Sequence, residues 1–393
     1  MRLFVAIVCG ALLASCARGT NSSLLPPAAL PDAGANPDAY SLIYSFKSGE
    51  DGGFPYAALT PLNGTLYGTT YGGGGGYEWG TVFKVSTTGE EHVLYRFKAG
   101  KDGAHPFAGL LAVGNTLYGT TEQGGAPGAG TIFSVSTTGV EHVLYSFKGG
   151  KDGQYPYGKL LDVNGTLYGT TFQGGVSPGW GVVFKVTTTG EEHVVYSFKA
   201  GKDGAHPYAG LIAVKGLLYG TTYQGGTSGA GTVFSVSPTG DEKVIYSFKG
   251  GSDGEYPYAR LLYLKGALYG TTYSGGVSDG WGVIFRVRTA SRKEDVLYKF
   301  KANTDGAHPY FAGLINQNGK LYGTTFQGGA KGAGTVFWEG PSGGDDHVVY
   351  SFKAYTDGEY PYAGLTALNG SVYGTTYQGG GASNAGTVYK LSL

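Results

Sequence analysis

Aromatic and histidine side chains recur at two loop positions of this chain of 393 residues, and they are its clearest candidates for ligand binding. Indole and phenol rings can stack on the apolar face of a sugar ring. The pattern therefore predicts aromatic platforms for a neutral ligand. The alternative is that each tryptophan fills the space left by a small neighbour. The candidates are three tryptophans, three histidines and three tyrosines: Trp79, Trp180, Trp281, His105, His206, His308, Tyr155, Tyr256 and Tyr360.

Acidic residues that break the repetition offer a catalytic interpretation. Glu122 stands where the six other copies of a repeated unit carry an aromatic residue, and Asp162 is singular in the next copy. Cleavage of a polysaccharide uses two carboxyl groups. An acid pair is therefore the alternative to a binding site, although these two residues belong to different strands. Other breaks occur at Lys159 and Arg260, and in the sixth copy at residues 338–346.

Metal and cofactor sites are not predicted. One Asp-Gly pair occurs in each of seven copies, as at Asp102, but calcium needs six or more oxygen ligands and Asp before Gly is common in turns. The glycine run 72–76 lacks the Gly-Lys-Ser/Thr ending of a phosphate-binding loop. Both cysteines precede residue 17, so the sequence beyond them has no thiol for a metal or a nucleophile.

A unit that is repeated seven times must position these side chains. Leu66-Tyr67-Gly68-Thr69-Thr70 recurs from Leu117, Leu167, Leu218, Leu268 and Leu321, and a Val372 version follows, at spacings of 51, 50, 51, 50, 53 and 51. A period near fifty indicates a repeat architecture. Within a unit such as 102–148, Gly-rich turns separate four short runs rich in β-branched and aromatic residues, and no helical periodicity appears. We predict an all-β fold, a seven-bladed β-propeller of four-stranded antiparallel blades.

The two ends of the repeat region predict how the ring closes. Residues 40–47 have the sequence of a fourth strand, and residues 387–392 have that of a third strand. We therefore predict that the N-terminal strand completes the last blade; an open solenoid is the alternative. In a meander of this kind, the loops between blades and the loops between second and third strands share one face. This long-loop face would carry the candidate residues.

The first sixteen residues predict export. Arg2 precedes the apolar run 3–14, which is too short to span a bilayer and is typical of a signal peptide. Leu13-Ala14-Ser15-Cys16 resembles the lipobox of bacterial lipoproteins, which implies lipid attachment at Cys16. The alternative is ordinary cleavage after Ala17. We expect a protein anchored at the bacterial outer membrane or cell surface; a secreted or periplasmic protein is the alternative.

A flexible linker follows the predicted signal peptide. Residues 17–39 are rich in Pro, Ala and Ser and show no strand or helix period. The predicted organisation is a signal peptide over 1–16, a linker over 17–39 and a propeller over 40–393.

The charge balance limits the partners. Lys and Arg together number 28, as do Asp and Glu, so no basic field is available for nucleic acid or anionic lipid. We expect membrane attachment only through a lipid anchor, a neutral glycan or a surface protein as ligand, and a monomer.

The repeated unit resembles a known family. Asp-Gly-x-x-Pro-Tyr-x-x-Leu, then Leu-Tyr-Gly-Thr-Thr-x-x-Gly-Gly and Gly-Thr-Val-Phe, is similar to the GloVer (Gloeo/Verruco-type) tandem repeat over residues 44–393. That resemblance implies an exported, surface-attached bacterial protein and no activity or site residues. The Gly-Gly doublet also resembles kelch repeats, whose regular Trp is missing here. The prediction is a binding or scaffold module without catalysis; the alternative is an extracellular polysaccharide hydrolase or lyase.

Overall fold

Seven four-stranded antiparallel sheets make up the protein, as seen in a computed structural model that describes residues 39–76, 78–176, 179–276, 280–311 and 313–393. The sheets form one ring, which confirms the predicted all-β, seven-bladed propeller. Among the described residues no helix is long and apolar enough to cross a membrane. The predicted signal peptide, the lipid attachment at Cys16 and nearly all of the linker lie outside the described residues.

Each blade is a meander whose first strand is innermost. The first strands are β2 (Thr60–Leu62), β6 (Leu111–Val113), β10 (Leu161–Val163), β14 (Ile212–Val214), β18 (Leu262–Leu264), β22 (Ile315–Gln317) and β26 (Thr366–Leu368). The second strands are β3 (Thr65–Thr70), β7 (Thr116–Thr121), β11 (Thr166–Thr171), β15 (Leu217–Thr222), β19 (Ala267–Thr272), β23 (Lys320–Thr325) and β27 (Ser371–Thr376). The third strands are β4 (Thr81–Val85), β8 (Thr131–Ser136), β12 (Val182–Thr187), β16 (Thr232–Val236), β20 (Val283–Arg288), β24 (Thr335–Glu339) and β28 (Thr387–Ser392). The outer strands are β5 (Glu91–Arg96), β9 (Glu141–Ser146), β13 (Glu192–Ser197), β17 (Glu242–Ser247), β21 (Glu294–Lys299) and β25 (His347–Ser351), with β1 (Tyr40–Ser45) completing the seventh blade.

The ring closes through its own N-terminal strand. Strand β1 pairs antiparallel with β28, so the seventh sheet has the order β1-β28-β27-β26. Tyr40 stacks on Tyr350 of the sixth blade with ring centroids 4.3 Å apart. Phe46, directly after β1, is fully buried against the first blade. The predicted closure is confirmed, and the solenoid is excluded.

Aromatic rings between neighbouring blades form the core, and they explain the repeated Leu-Tyr-Gly-Thr-Thr motif. Phe46 lies edge-on to Phe83 of the next blade at 5.1 Å between ring centroids, and Phe97 lies edge-on to Phe133 at the same distance. The ring of Phe83 covers Gly68, where a Cβ atom would lie 2.5 Å from the Phe83 Cζ. The motif therefore keeps glycine because the third-strand ring occupies the place of a side chain.

The strand bounds differ from expectation in two respects. The apolar run 109–113 predicts the first strand of the second blade, but the strand begins at Leu111, because the ladder starts with the pairing of Leu111 and Tyr118. The outer strand is bulged, since Ile132 pairs with Tyr145 but Phe133 pairs with Val143, which leaves Leu144 unpaired. All seven blades have this irregularity. A bulge increases the local twist of the strand.

The recurring aspartates tie each outer strand to the loop that follows it. The Asp102 Oδ2 accepts hydrogen bonds from the Tyr95 hydroxyl at 2.7 Å and from the Lys98 backbone N–H at 3.0 Å. The same pair of bonds is made at Asp51, Asp152, Asp203, Asp253, Asp305 and Asp357. These carboxylates shape the loops that carry the candidate residues.

Candidate functional site: the long-loop face and the central cavity

The long-loop face is built where the loop between two blades pairs with a second-to-third loop. Ala104 forms a two-residue antiparallel bridge with Gln123, and six further contacts of this kind occur around the ring. The next residue, His105, donates its backbone N–H to the Trp79 carbonyl at 2.8 Å and accepts from the Glu122 N–H at 3.0 Å. The two predicted loop series therefore lie together on one face.

Seven bulky residues of this face have a left-handed backbone. The φ of His105 is 56° and that of Tyr155 is 60°. Such a conformation is unfavourable for a large side chain, by about 1 kcal/mol or more, and persists only where the surroundings hold it. The seven occupy one equivalent position of the loop between blades: Phe54, His105, Tyr155, His206, Tyr256, His308 and Tyr360.

The predicted tryptophans and histidines meet in pairs. Trp79 lies edge-on to His105 with ring centroids 5.2 Å apart, and the pairs Trp180–His206 and Trp281–His308 have the same separation. Each tryptophan is half-buried and packs against the aromatic core between blades. Each histidine also stacks on a ring of the preceding blade, as His105 does on Tyr71 at 4.4 Å.

The predicted tyrosines face alanine instead. The backbone N–H of Tyr155 donates to the Ala129 carbonyl at 3.0 Å, and the corresponding pairs are Tyr256 with Ala230 and Tyr360 with Ala333, each at 2.9 Å. A large residue thus faces histidine, and a small residue faces tyrosine. This arrangement explains the alternation as packing, while the use of the nine residues as a ligand-binding set stays a prediction.

The histidine rings are held in defined orientations. The Nδ1 of His206 is 2.8 Å from the Phe172 carbonyl oxygen, and that of His308 is 2.9 Å from the Tyr273 carbonyl oxygen. Burial lowers the pKa of both rings, and the hydrogen bond to the carbonyl opposes that effect. Because the net pKa shift is downward, these rings are neutral at pH 7.

The two acidic residues of the catalytic alternative do not meet. Glu122 follows the end of β7 on the long-loop face, where its Oε1 accepts from the Tyr157 hydroxyl at 3.1 Å. Asp162 lies in β10 beside the tight turn, and its Oδ1 accepts from the Gly165 N–H at 2.9 Å. The two carboxyl groups are therefore at opposite faces of the ring, and each has a structural hydrogen bond.

The residues that interrupt the repetition in the sixth blade, 338–346, also make contacts that stabilise the local fold. Glu339 is fully buried, and its Oε1 accepts from the backbone N–H groups of Gly340 and Asp345 at 2.9 and 3.1 Å. Burial raises the pKa of this carboxyl group. Within the described parts of the chain, no group of three or more His, Cys, Asp or Glu side chains could hold a metal ion.

Aromatic rings converge on the propeller axis at the long-loop end. We call this set the axial aromatic cluster. Phe311 contacts rings from several blades, with centroids 4.9 Å from Phe107, 5.4 Å from Tyr208 and 5.6 Å from Tyr258. The axial aromatic cluster also includes Tyr56, Tyr157, Tyr310 and Tyr362, and further rings of the long-loop face pack against it. Phe311 is an extra residue between Tyr310 and residue 312, and it falls within the longest motif spacing, that of 53 residues.

A cavity of about 430 Å³ lies on the axis next to this cluster. Residues just before and within the first strands line it, together with Lys159 and Arg260, and no Asp or Glu is among its described lining residues. The Lys159 Nζ is 3.1 Å from the Thr60 Oγ1, and the Arg260 Nε donates to the Leu211 carbonyl at 3.0 Å. Both basic residues were visible in the sequence as breaks in the repetition, but their convergence was not.

The electrostatics of this central cavity are positive. Burial, and then the positive charge of Arg260, lowers the pKa of Lys159 to about 8. Burial also lowers the pKa of Arg260. In the described part of the chain neither residue forms an ion pair with a carboxylate. The arrangement can therefore attract an anion.

Solved structures of other proteins share this architecture. An oligogalacturonate lyase in complex with manganese aligns with a TM-score of 0.55 and 11% identity, over 87% of this chain and 89% of that one. A proposed 6-phosphogluconolactonase from Bacteroides uniformis aligns with a TM-score of 0.50 and 14% identity, over 75% and 84%. At such identities these likenesses show the fold alone.

The sequence comparisons identify the repeat. No curated protein matches the chain. The description of the matching family is the Gloeobacter/Verrucomicrobia repeat, and its two matches span residues 33–234 and 213–393. These matches cover all seven blades, and the kelch resemblance stays a prediction. The chain belongs to the Gloeobacter/Verrucomicrobia repeat family.

Proposed function

We propose that this protein is an exported, surface-anchored binding module without catalysis, and that its long-loop face recognises a neutral glycan or a surface protein. The observation that carries the proposal is the ring of aromatic and histidine side chains at seven left-handed positions. Strained backbone of this kind is concentrated at binding and catalytic sites. The paired rings are half-buried, so part of each remains accessible to solvent.

Other features of the same face support recognition of an uncharged partner. Tyr355 and Val176, both in loops of this face, are 71% and 63% exposed. His206 and His308 are neutral at pH 7, since burial lowers their pKa. Aromatic and apolar groups with few charges suit a sugar ring or the core of a protein interface.

A glycan array probed with the full chain tests the ligand class. A Trp79/Trp180/Trp281→Ala variant should lose binding, because the indole rings would supply the stacking surface. Trp338→Ala is the matched control, since Trp338 stacks on His347 at the opposite end of the sixth blade. Binding that survives the triple change would overturn the tryptophan assignment, and no binding to any neutral glycan would overturn the glycan ligand.

The catalytic alternative is a polysaccharide hydrolase or lyase with a single acidic site. The separation of Glu122 and Asp162 on opposite faces does not favour it. Release of reducing or unsaturated sugar ends from neutral and acidic polysaccharides is the direct measurement. Activity that a Glu122→Gln change abolishes would establish an enzyme and overturn the proposal of a binding module.

Surface attachment is tested separately. When the full chain is expressed in a Gram-negative host with labelled palmitate, the protein should carry the label in the outer membrane fraction. Cys16→Ser should remove the label and release the protein from that fraction. A label that persists in Cys16→Ser, or an unlabelled wild-type protein, would contradict lipid attachment at Cys16.

A further inference from the structure

We propose that the central cavity binds a small organic anion of about the size of one sugar unit, held between the Lys159 ammonium and the Arg260 guanidinium. This site lies on the axis and is independent of the proposed long-loop ligand. Its volume of about 430 Å³ falls in the range of small-molecule pockets. An inorganic ion alone would leave most of that space empty.

The two basic residues occupy one structural position in two blades. The residue before the buried leucine at the inner end of each blade is Ala58, Gly109, Lys159, Gly210, Arg260, Gly313 and Gly364. Five blades therefore place a small residue against the cavity, and blades three and five place a long cation there. At Gly210, a Cβ atom would lie only 2.4 Å from the Lys159 carbonyl oxygen. Small residues are required where inner segments approach closely, so the two cations are exceptions that packing of the repeat does not explain.

The polar partners of both cations are neutral. The Lys159 ammonium donates to the Thr60 Oγ1, and the Thr60 O–H donates in turn to the Leu110 carbonyl. Arg260 uses its Nε on a backbone carbonyl. A cation removed from water without a counter-ion is unfavourable, and a bound carboxylate or phosphate group would supply the missing negative charge. Retaining two such residues at a cost in stability is typical of functional sites.

The remainder of the wall suits the carbon skeleton of an organic ligand. The axial aromatic cluster, with Phe311 at its centre, covers the long-loop end of the cavity. Leu262 and Ile315 line the cavity along the first strands, as do the polar residues Asn316 and Thr366. A ligand would therefore reach the site from the end opposite the aromatic cluster. Its charged group would contact the two cations, and its apolar face would contact the rings.

Isothermal titration calorimetry of the full chain tests this site at pH 7. D-glucuronate is the probe, D-glucose is the neutral control of equal size, and inorganic phosphate distinguishes a simple anion from an organic one. Glucuronate should bind, glucose should not, and phosphate should bind more weakly than glucuronate. Equal binding of glucose would overturn the role of charge, and equal binding of phosphate would overturn the organic ligand.

Two variants connect the binding to the named residues. Lys159→Met and Arg260→Met should each weaken glucuronate binding by about tenfold or more, because each removes one charge-assisted hydrogen bond. Lys101→Met, at an exposed lysine of an inter-blade loop, should leave the affinity unchanged. Lys159→Arg keeps the charge and should retain measurable binding, which separates loss of charge from loss of folding. Unchanged affinity in folded Lys159→Met and Arg260→Met proteins would overturn the proposal. The absence of measurable binding of both glucuronate and phosphate to the wild type would also overturn it.

Discussion

At the scale of single residues, the alternation of Trp–His and Ala–Tyr pairs from blade to blade follows from contacts across blade boundaries. Trp79 lies against His105, whereas Ala230 faces Tyr256. The larger partner thus changes sides from one boundary to the next. Because the backbone positions are equivalent at every boundary, the size of the side chain at one position of a pair should limit the size that the other position can accommodate.

This constraint predicts a measurable coupling between Ala230 and Tyr256. Ala230 is 4% exposed, so Ala230→Trp should destabilise the protein by about 1 to 3 kcal/mol through overpacking. Combining it with Tyr256→His should recover about 1 kcal/mol or more, because the pair then matches Trp180–His206. Urea unfolding of the four proteins in the cycle gives the coupling energy. Ala230→Trp with Tyr360→His is the control and should be additive; additivity at both sites would contradict the packing explanation.

A second residue-scale prediction concerns Lys159 in the absence of ligand. Its folded-state pKa of about 8 lies below the ordinary value of 10.5, so the unfolded chain binds more protons between these values. The free energy of unfolding should therefore rise with pH from about 8 to 10.5 by way of this residue. Below pH 8 the folded protein carries the whole unfavourable free energy of burying the charged lysine. Lys159→Met should therefore be more stable than the wild type by about 1 to 3 kcal/mol at pH 7.

Chemical unfolding at pH 7 and pH 10.5 checks this sign. The advantage of Lys159→Met should shrink to about 0.5 kcal/mol or less at the higher pH, where the folded wild-type lysine is neutral and only half of the unfolded chains still carry the proton. Lys101→Met should show no such change. A Lys159→Met protein that is less stable at pH 7 would mean that packing of the lysine stem and its bond to Thr60 outweigh the burial of charge.

The positions of the loop residues could be predicted from the sequence, whereas those of the cavity residues could not. The loop series containing Trp79 and His105 could be assigned to one face, because strand alternation and turn length fix the direction of each loop. Lys159 and Arg260 were recognisable only as breaks in repetition. Their position around one cavity depends on how the blades are arranged about the axis, as do the contacts of Phe311 with blades distant in sequence. No local pattern encodes those distances.

At the scale of elements, the first residue of the outer strand places a carboxyl group at each of five blade boundaries. Glu141 lies beside the Tyr95–Asp102 pair of the preceding blade, and burial, then the charge of Asp102, raises its pKa to about 7. Glu91, Glu192, Glu242 and Glu294 have the same pKa shift, first from burial and then from the neighbouring aspartate. The blades therefore pack most favourably when these groups are protonated.

These glutamates predict a maximum of stability at mildly acidic pH. Between pH 4.5 and about 7 the folded protein binds more protons than the unfolded chain, so the free energy of unfolding should fall as pH rises through this window. Glu141→Gln should raise Tm by a few degrees at pH 8, on the order of 2 to 4 °C, and have little effect at pH 4.5. Thermal unfolding followed by circular dichroism measures both.

Glu90→Gln is the matched control, because Glu90 is exposed in the turn before the corresponding strand of the first blade. It should leave the pH profile unchanged. A wild-type Tm that is highest at pH 8 would contradict the boundary glutamates as the source of pH dependence. This window is separate from that of Lys159, which begins at about pH 8.

Strand positions were largely predictable at this scale, but the bulge was not. The second strand Thr116–Thr121 is one of the four β-branched and aromatic runs predicted within the unit 102–148, and the Gly114-Asn115 turn marks its start. The unpaired Leu144 is an apolar residue like its paired neighbours Val143 and Tyr145, so its residue type does not mark the bulge. Only the twist needed to pack one blade on the next determines where the extra residue falls, and that is a property of the assembled ring.

At the scale of the whole molecule, the blades are nearly identical in their core contacts and differ in the residues that they place at the propeller axis. The core contacts repeat closely, as the Phe97–Phe133 and Phe147–Phe184 centroid distances of 5.1 and 5.2 Å show. Lys159, Arg260 and Phe311 are the departures that reach the axis. A ring of seven copies thus provides a rigid frame, and a few substitutions at its centre suffice to make one asymmetric cavity.

Closure of that frame depends on one short strand, and this predicts a difference between two equivalent phenylalanines. Phe46 and Phe97 each follow an outer strand, are at most 1% exposed, and lie edge-on to a third-strand ring at 5.1 Å. Either change to alanine should cost about 3 to 5 kcal/mol. However, β5 is joined to β4 by a tight turn, whereas β1 is joined to its partner β28 only through hydrogen bonds and packing. Phe46→Ala should therefore release β1 locally, while Phe97→Ala should leave β5 in place until the ring unfolds.

Hydrogen exchange read by mass spectrometry distinguishes these outcomes. In Phe46→Ala, the amides of Tyr40–Ser45 and of the facing Thr387–Ser392 should exchange faster by about two orders of magnitude or more than elsewhere in the ring, because their protection would come from local opening. In Phe97→Ala, the strand Glu91–Arg96 should exchange together with the rest of the protein. Equal, global loss of protection in both variants would show that β1 is as firmly held as any internal strand, and that the open ends of the chain are not the weak point of the ring.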